Sequence, residues 1–315
     1  MPLNKNSKIF VAGHKGMVGS SILRIFKKKG YKKIFIKEKK FLNLLNQEQT
    51  QSYINKIKPD YVIIAAAKVG GILANQNFKA EFIYENIMIQ SNIIHASYKA
   101  GVKKLIFLGS SCIYPKFAKQ PINENELLNG KLEKTNDSYA IAKIAGLKMC
   151  EAYNNQYKTN YICLMPTNLY GPNDNYDLDT AHFYPALIKK LYKAKKEKKK
   201  FISIWGNGKA RRELMFVDDL AYACEFFLKK KTNHSVINIG SGQENTIVGF
   251  CNFIMKKIGI KINIKFDKKK PNGTPRKKLN SNLAKKYGWK PRYNLNKGFD
   301  LTYKHFLKFS TKLKN

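Results

Sequence analysis

Three groups of residues in this 315-residue chain have types and spacings that suit joint chemistry. The first is Gly13-His14-Lys15-Gly16-Met17-Val18-Gly19, with glycine at every third position. Glycines permit a tight turn and the close approach of a pyrophosphate. A helix opening at such a turn adds free N–H donors and the positive end of its dipole. The second group is Tyr139 and Lys143, four apart and therefore on one face of a helix. An ammonium there is expected to lower the phenol's pKa and orient a ribose, so that the phenol can exchange a proton with a carbonyl oxygen. The third is Ser110, whose hydroxyl can donate to the same oxygen. Each is weak alone: glycines punctuate ordinary turns, and Tyr-x-x-x-Lys recurs in helices by chance.

The elements around these residues join them. Residues 7–12 read as a short apolar strand that ends at the glycine turn, and an amphipathic helix runs on to about Lys29. A second strand covers 33–36, and 61–67 is a continuous apolar run, as expected where helices cover both faces of a parallel sheet. A helix over about 79–100 leads into a strand at 104–109, directly before Ser110. Another, over about 136–157, carries Tyr139 and Lys143 and leads into a strand at 160–165. This alternation predicts an α/β fold, a doubly wound parallel sheet of the Rossmann type with its crevice at the carboxyl ends of the strands. Past Pro166 the pattern weakens. Residues 1–166 are expected to bind the dinucleotide, with part of 213–240 returning to that domain. A smaller mixed α/β substrate lobe is expected from 167–212 and 241–315.

The end of the second strand bears on the cofactor. An acidic residue there would hold the ribose 2′-hydroxyl of NAD, whereas basic residues accept the 2′-phosphate of NADP. The sequence reads Ile36-Lys37-Glu38-Lys39-Lys40, and Lys15 lies in the turn. NADP(H) is expected, with Glu38 dissenting.

Composition excludes several classes. Hydrophobic content of 43% with 19 Phe and 18 Tyr rules out a disordered chain. No apolar run approaches the ~20 residues of a membrane span, and Met1 to Ser7 is polar with no secretory apolar region after it, so a soluble cytoplasmic protein is expected. The net charge of +38 would suit a polyanion, but only Arg24, Arg211, Arg212, Arg276 and Arg292 are arginines and the lysines are spread along the chain. Specific nucleic-acid readers lean on the bidentate arginine fork, so the surplus reads as background from an AT-biased coding sequence, with no nucleic-acid partner expected. The cysteines Cys112, Cys150, Cys163, Cys224 and Cys251 form no C-x-x-C pair, which argues for free thiols and against a zinc site. Read alone, Cys112 is a small buried thiol and His182 a surface or capping residue at a helix start.

With these motifs in order, the chain resembles the extended short-chain dehydrogenase/reductase family over nearly its whole length. The stretches that carry the resemblance are 11–19 (VAGHKGMVG), 65–72 (AAAKVGGI), 108–115 (LGSSCIYP), 138–146 (SYAIAKIAG) and 165–172 (MPTNLYGP); 205–208 (WGNG), 211–213 (RRE) and 273–277 (GTPRK) extend it to the C-terminal lobe. The block 111–115 is far more specific than the general family signature. The resemblance implies a bifunctional enzyme that inverts C3 and C5 of GDP-4-keto-6-deoxy-D-mannose and reduces the C4 ketone with NADPH, giving GDP-L-fucose. It implies Tyr139, Lys143, Ser110, Cys112 and His182 as catalytic, with Cys112 the base and His182 the acid of the epimerisations.

Cofactor contacts implied in the same way are Gly13 to Gly19, Lys37, Leu42, Leu108, Gly109, Ser110, Ser111, Tyr139, Lys143, Pro166, Thr167, Asn168, Leu169 and His182. Implied substrate contacts are Lys190, Trp205, Arg212 and Asn272, with His182 again facing the sugar. The family carries Asp at the position of Asn272 and Arg at those of Lys15 and Lys37, which here keep charge but lose the bidentate fork. A homodimer through the helices at 79–100 and 136–157 is implied as well. The alternatives are a related nucleotide-sugar epimerase or reductase, which would need no base–acid pair at C3 and C5, and a non-catalytic polyanion binder.

Overall fold

The computed structural model of the protein describes residues 2–270 and 273–312. Its strands are β1 (Ile9–Ala12), β2 (Ile34–Phe35), β3 (Tyr61–Ile64), β4 (Lys104–Leu108), β5 (Tyr161–Pro166) and β6 (Asn168–Tyr170), then β7 (Phe201–Trp205), β8 (Arg211–Phe216), β9 (Val236–Ile239), β10 (Glu244–Thr246), β11 (Asn263–Asp267) and β12 (Arg276–Lys277). The helices of three turns or more are α1 (Met17–Lys28), α2 (Gln47–Ile57), α4 (Lys79–Lys99), α5 (Asp137–Tyr157), α6 (Phe183–Lys196), α7 (Val217–Lys229), α8 (Ile247–Ile258) and α10 (Leu295–Lys312); α3 (Ile72–Asn77) and α9 (Asn282–Lys286) are short.

Six parallel strands form the main sheet in the order β2-β1-β3-β4-β5-β9. Every residue of β1, β3, β4 and β5 is buried, because both faces are covered. Alternate residues of one strand feed different cores. Ile9, Val11, Ile63, Ile106 and Leu164 pack with Ile22 and Phe26 of α1 and Leu220 and Phe227 of α7. Phe10, Val62, Ile64, Phe107 and Cys163 pack with Ile54 of α2, Ile93 of α4 and Leu147 of α5. Residues 217–239 thus return to the main sheet: β9 pairs with β5, and the Ser21 hydroxyl of α1 donates to Asp218 of α7 at 2.6 Å.

The chain leaves β1 for β2 on one side and returns to β3 on the other, so the order reverses between β1 and β3. A reversal of this kind opens a crevice at the carboxyl ends of the strands. Gly13, directly after β1, has φ 85°, and a Cβ there would lie 2.6 Å from Ala66 Cα in the segment after β3. Only glycine lets the two segments meet. A third core, built from Tyr184 and Ile188 of α6, Ile204 of β7, Phe250 and Ile254 of α8 and Phe299 of α10, lies beyond those carboxyl ends. A small mixed sheet links the two parts: β8 pairs with β6 and β12 in parallel and with β10 antiparallel. Among the described residues no helix is long and apolar enough to cross a membrane.

Candidate active site

A cavity of about 360 Å³ opens at the carboxyl ends of the sheet strands. It is lined by Met17 and Val18, Leu108 to Cys112, Tyr139 and Lys143, Pro166 to Leu169, His182, Lys190, Trp205 and Arg212. These residues are contributed by α1, the β4 end, α5, β5–β6, α6, β7 and β8. Among the described residues, Gly13, His14, Lys15, Gly16, Gly19, Lys37 and Leu42 lie outside this lining. Asn272 falls outside the described residues.

The glycine turn packs closely against the start of α1. Gly16 caps α1 with no side-chain bond to the helix N–H groups, and a Cβ on Gly19 would fall 2.1 Å from the Gly13 carbonyl oxygen. That close approach brings the start of α1 up against the turn, so its first N–H groups face the crevice mouth. Beside it Lys15 pairs with Glu38 at 2.9 Å, so the dissenting carboxylate neutralises one of the two expected cations. Lys37 and Lys40 flank the exposed Phe41 ring at 5.3 and 4.6 Å, while the Leu42 side chain is buried in the core. Burial holds the His14 imidazole below its ordinary value; Glu38 works against that and Lys15 with it.

Ser110 is extended, Ser111–Ile113 is a 3-10 turn, and the Ser110 hydroxyl accepts from the Cys112 N–H at 3.2 Å. The turn brings both side chains to the same cavity. The Cys112 sulfur accepts from Asn136 Nδ2 at 3.2 Å and from Lys277 Nζ at 3.4 Å. Burial pushes its thiol up, but the Lys277 ammonium, the Ser110 hydroxyl and the Arg212 charge outweigh burial and leave it below its ordinary value.

Tyr139 departs from expectation. Burial and the Cys112 charge push its phenol well up, against the Ser110 hydrogen bond. The neighbouring lysine does not offset this. Lys143 Nζ sits 5.9 Å from the centre of the Tyr139 ring, donates to the Leu108 carbonyl at 2.9 Å, and is itself pushed down to about 8 by burial. The pair therefore rests with a protonated phenol, a donor rather than a base. His182 is the N-cap of α6, yet its imidazole makes no capping bond and is exposed on the cavity wall. Surrounding protein and the Lys277 charge hold it below its ordinary value. Lys190 donates to the Ser203 carbonyl at 3.3 Å, and the Arg212 guanidinium to that of Arg211 at 2.8 Å.

Asn136 and Lys277 were not singled out from sequence, though each touches the sulfur and lines the cavity. Asn136 directly precedes a helix and reads as an ordinary cap. Lys277 is one lysine in a chain crowded with them.

A doubly wound sheet with a glycine turn after its first strand, and a Ser, Tyr and Lys lining the cavity beyond the carboxyl ends of its strands, defines a short-chain dehydrogenase/reductase. Residues 9–240 match the model of the NAD dependent epimerase/dehydratase family, and the chain belongs to that family. It is 47% identical to the GDP-L-fucose synthase of Sinorhizobium fredii, covering 98% of each chain. It is 48% identical to GDP-L-fucose synthase 1 of Arabidopsis thaliana, over 97% of this chain and 94% of that one. Among solved structures it resembles the GDP-mannoheptose C4 reductase of Campylobacter jejuni with NADP bound, at 35% identity and TM-score 0.89, over 97% and 99% of the two chains.

Proposed function

We propose that this protein converts GDP-4-keto-6-deoxy-D-mannose to GDP-L-fucose by inverting C3 and C5 and then reducing the C4 ketone with NADPH. The observation that carries the reading is one cavity holding two kinds of groups: the Ser110 and Tyr139 hydroxyls as donors, and the Cys112 sulfur and the His182 imidazole as proton handlers. The identities to GDP-L-fucose synthases support the choice of sugar. NADP(H), where bound, supplies hydride to C4. The glycine turn and the α1 N-terminus would hold its pyrophosphate, and Lys143 its ribose.

C3 and C5 both flank the ketone, so loss of a proton from either gives an enolate with its charge on the C4 oxygen. Tyr139 and Ser110 donate hydrogen bonds to that oxygen, and the raised phenol pKa keeps Tyr139 in its donor form. Cys112 takes the proton from one face, and His182 returns one to the other. During reduction Tyr139 gives its proton to the C4 oxygen. Lys190 and Arg212 hold the diphosphate as charged donors, and Trp205 walls the sugar side.

We read residues 1–166 with 217–239 as the cofactor part and the remainder as the substrate lobe, in a cytoplasmic homodimer. Tyr84, Ile141 and Tyr157, exposed on α4 and α5, support pairing through those helices. The test is incubation with GDP-4-keto-6-deoxymannose and NADPH in deuterated water, followed by NMR of the sugar. GDP-L-fucose labelled at C3 and C5 is expected. Cys112→Ser and His182→Asn should each cut the label, and normal uptake in both would overturn the reading. A second reading, C4 reduction of another GDP-sugar, draws on the Campylobacter reductase; a reduced but unlabelled product would favour it.

A further inference from the structure

We propose that Lys277 is a positioning residue for this chemistry: its ammonium is the counterion of a Cys112 thiolate, so a side chain from the last strand sets the charge state of the base. The proposal deepens the reading above and rests on Cys112 as the proton acceptor.

The strand that carries Lys277 is pinned on both sides. Arg276 is held by Glu244 through two bonds, at 2.7 and 2.9 Å, and Lys277 projects to the opposite face, toward the cavity. Beyond it the Lys278 N–H donates to Gln120 Oε1 at 3.0 Å and the Leu279 N–H to the buried Glu213 carboxylate at 2.9 Å. Lys277 and Arg212 face each other across the β8–β12 pairing, so two cations share this wall. Lys277 Nζ lies 3.4 Å from the sulfur. Among the described residues the ammonium has no carboxylate within ion-pair distance. Its acceptor is the sulfur.

The groups facing that sulfur are Lys277 and Arg212 as charges, Tyr139 as a titratable neighbour, and the Ser110 hydroxyl and Asn136 amide as neutral partners. Both charges are positive, and Asn136 donates. A free thiol is mostly protonated at neutral pH, whereas a base that must take a proton from carbon needs the anion. An ammonium in contact moves that balance toward the thiolate. The same charge also opposes protonation of His182. One lysine therefore acts on both proton handlers.

The experiment is alkylation of the full-length, ligand-free protein by iodoacetamide across pH, with the Cys112 peptide read by mass spectrometry. Cys150, Cys163, Cys224 and Cys251 are buried, so the reagent reports Cys112. Lys277→Met should raise the midpoint by about 1–3 pH units. Lys277→Arg, which keeps the charge, should stay near the parent value. An unmoved midpoint in Lys277→Met overturns the proposal, and a KM rise for the GDP-sugar in that variant would then mark the lysine as a substrate contact only. If thermal melting shows that the Met variant does not fold, Lys277→Gln is read against Lys277→Arg by the same criterion. Failure of Cys112→Ser to lose deuterium uptake would instead sink the base assignment, a result independent of the alkylation midpoint.

Discussion

Tyr139 stays a phenol because burial and a neighbouring sulfur oppose its anion, and in the proposed mechanism it is the proton source of the reduction. Tyr139→Phe should therefore slow NADPH oxidation, followed at 340 nm, by about 10²–10⁴-fold. Deuterium entry at C3 and C5 should be slowed less, since the Ser110 donor remains. With the roles proposed above, the epimerisation needs Cys112 unprotonated and His182 protonated, so exchange should fall at both pH extremes and give a bell-shaped profile. Lys277 lies close enough to hold down both pKa values. Removing its charge raises both, and Lys277→Met should shift the whole bell to higher pH; a shift to lower pH would contradict the geometry. Ser110, Tyr139 and Lys143 were legible in the sequence because residue type and position on an element both pointed to one place. The roles proposed for Cys112 and His182 needed the family resemblance, since a thiol and an imidazole also serve as core and cap. Lys277 and Asn136 carried no such signal, because contact with the sulfur is made only when distant segments fold together.

At the level of elements, the strands buried on both faces were readable as apolar runs, and α1, α4 and α5 fall within a residue or two of where the pattern placed them. The helix α2 was missed. Only Thr50 and Ile54 of its eleven residues are buried, too thin a stripe to mark a helix, and its start is fixed by Asn46, whose side chain accepts from the Gln49 N–H at 2.8 Å. The small sheet was illegible for another reason: β8 takes partners from residues 168–170, 244–246 and 276–277, and such pairing leaves no local period. The turn and α1 act as one piece. A Cβ at Gly19 meets the backbone at Gly13 and His14, which no side-chain rotation relieves. Gly19→Ala should cost about 1–3 kcal/mol in a denaturant titration and weaken NADPH binding, read by nicotinamide fluorescence. Unchanged binding would show that the pyrophosphate does not use this turn.

Across the whole molecule the dominant quantity is the net charge of +38. Its acidic partners are few but well placed: buried Glu225 accepts from Lys29 at 2.7 Å and from Tyr31 at 3.0 Å, and pairs with Lys229 at 2.5 Å, tying α1 to α7. Burial raises the Glu225 carboxyl, but those donors outweigh it and its folded pKa is depressed below 4.5. A depressed carboxylate stabilises the fold above its unfolded pKa, and that contribution is lost as pH falls through the folded one. Glu225→Gln should therefore lower the melting temperature at pH 7 and converge with the parent in strong acid. The remaining lysines are mostly solvated and belong to no single groove, so their attraction to a polyanion is summed Coulomb interaction without registry. Such binding works by counterion release and falls steeply with salt, by about 10³–10⁵ in affinity between 50 and 200 mM for six to ten phosphate contacts. The protein should bind duplex DNA in 50 mM salt without sequence preference and release it by 200 mM, as read by fluorescence anisotropy. DNA present at 200 mM should leave NADPH turnover unchanged. Binding that survives 200 mM salt, or that competes with the GDP-sugar there, would mean that the lysines form a built polyanion site.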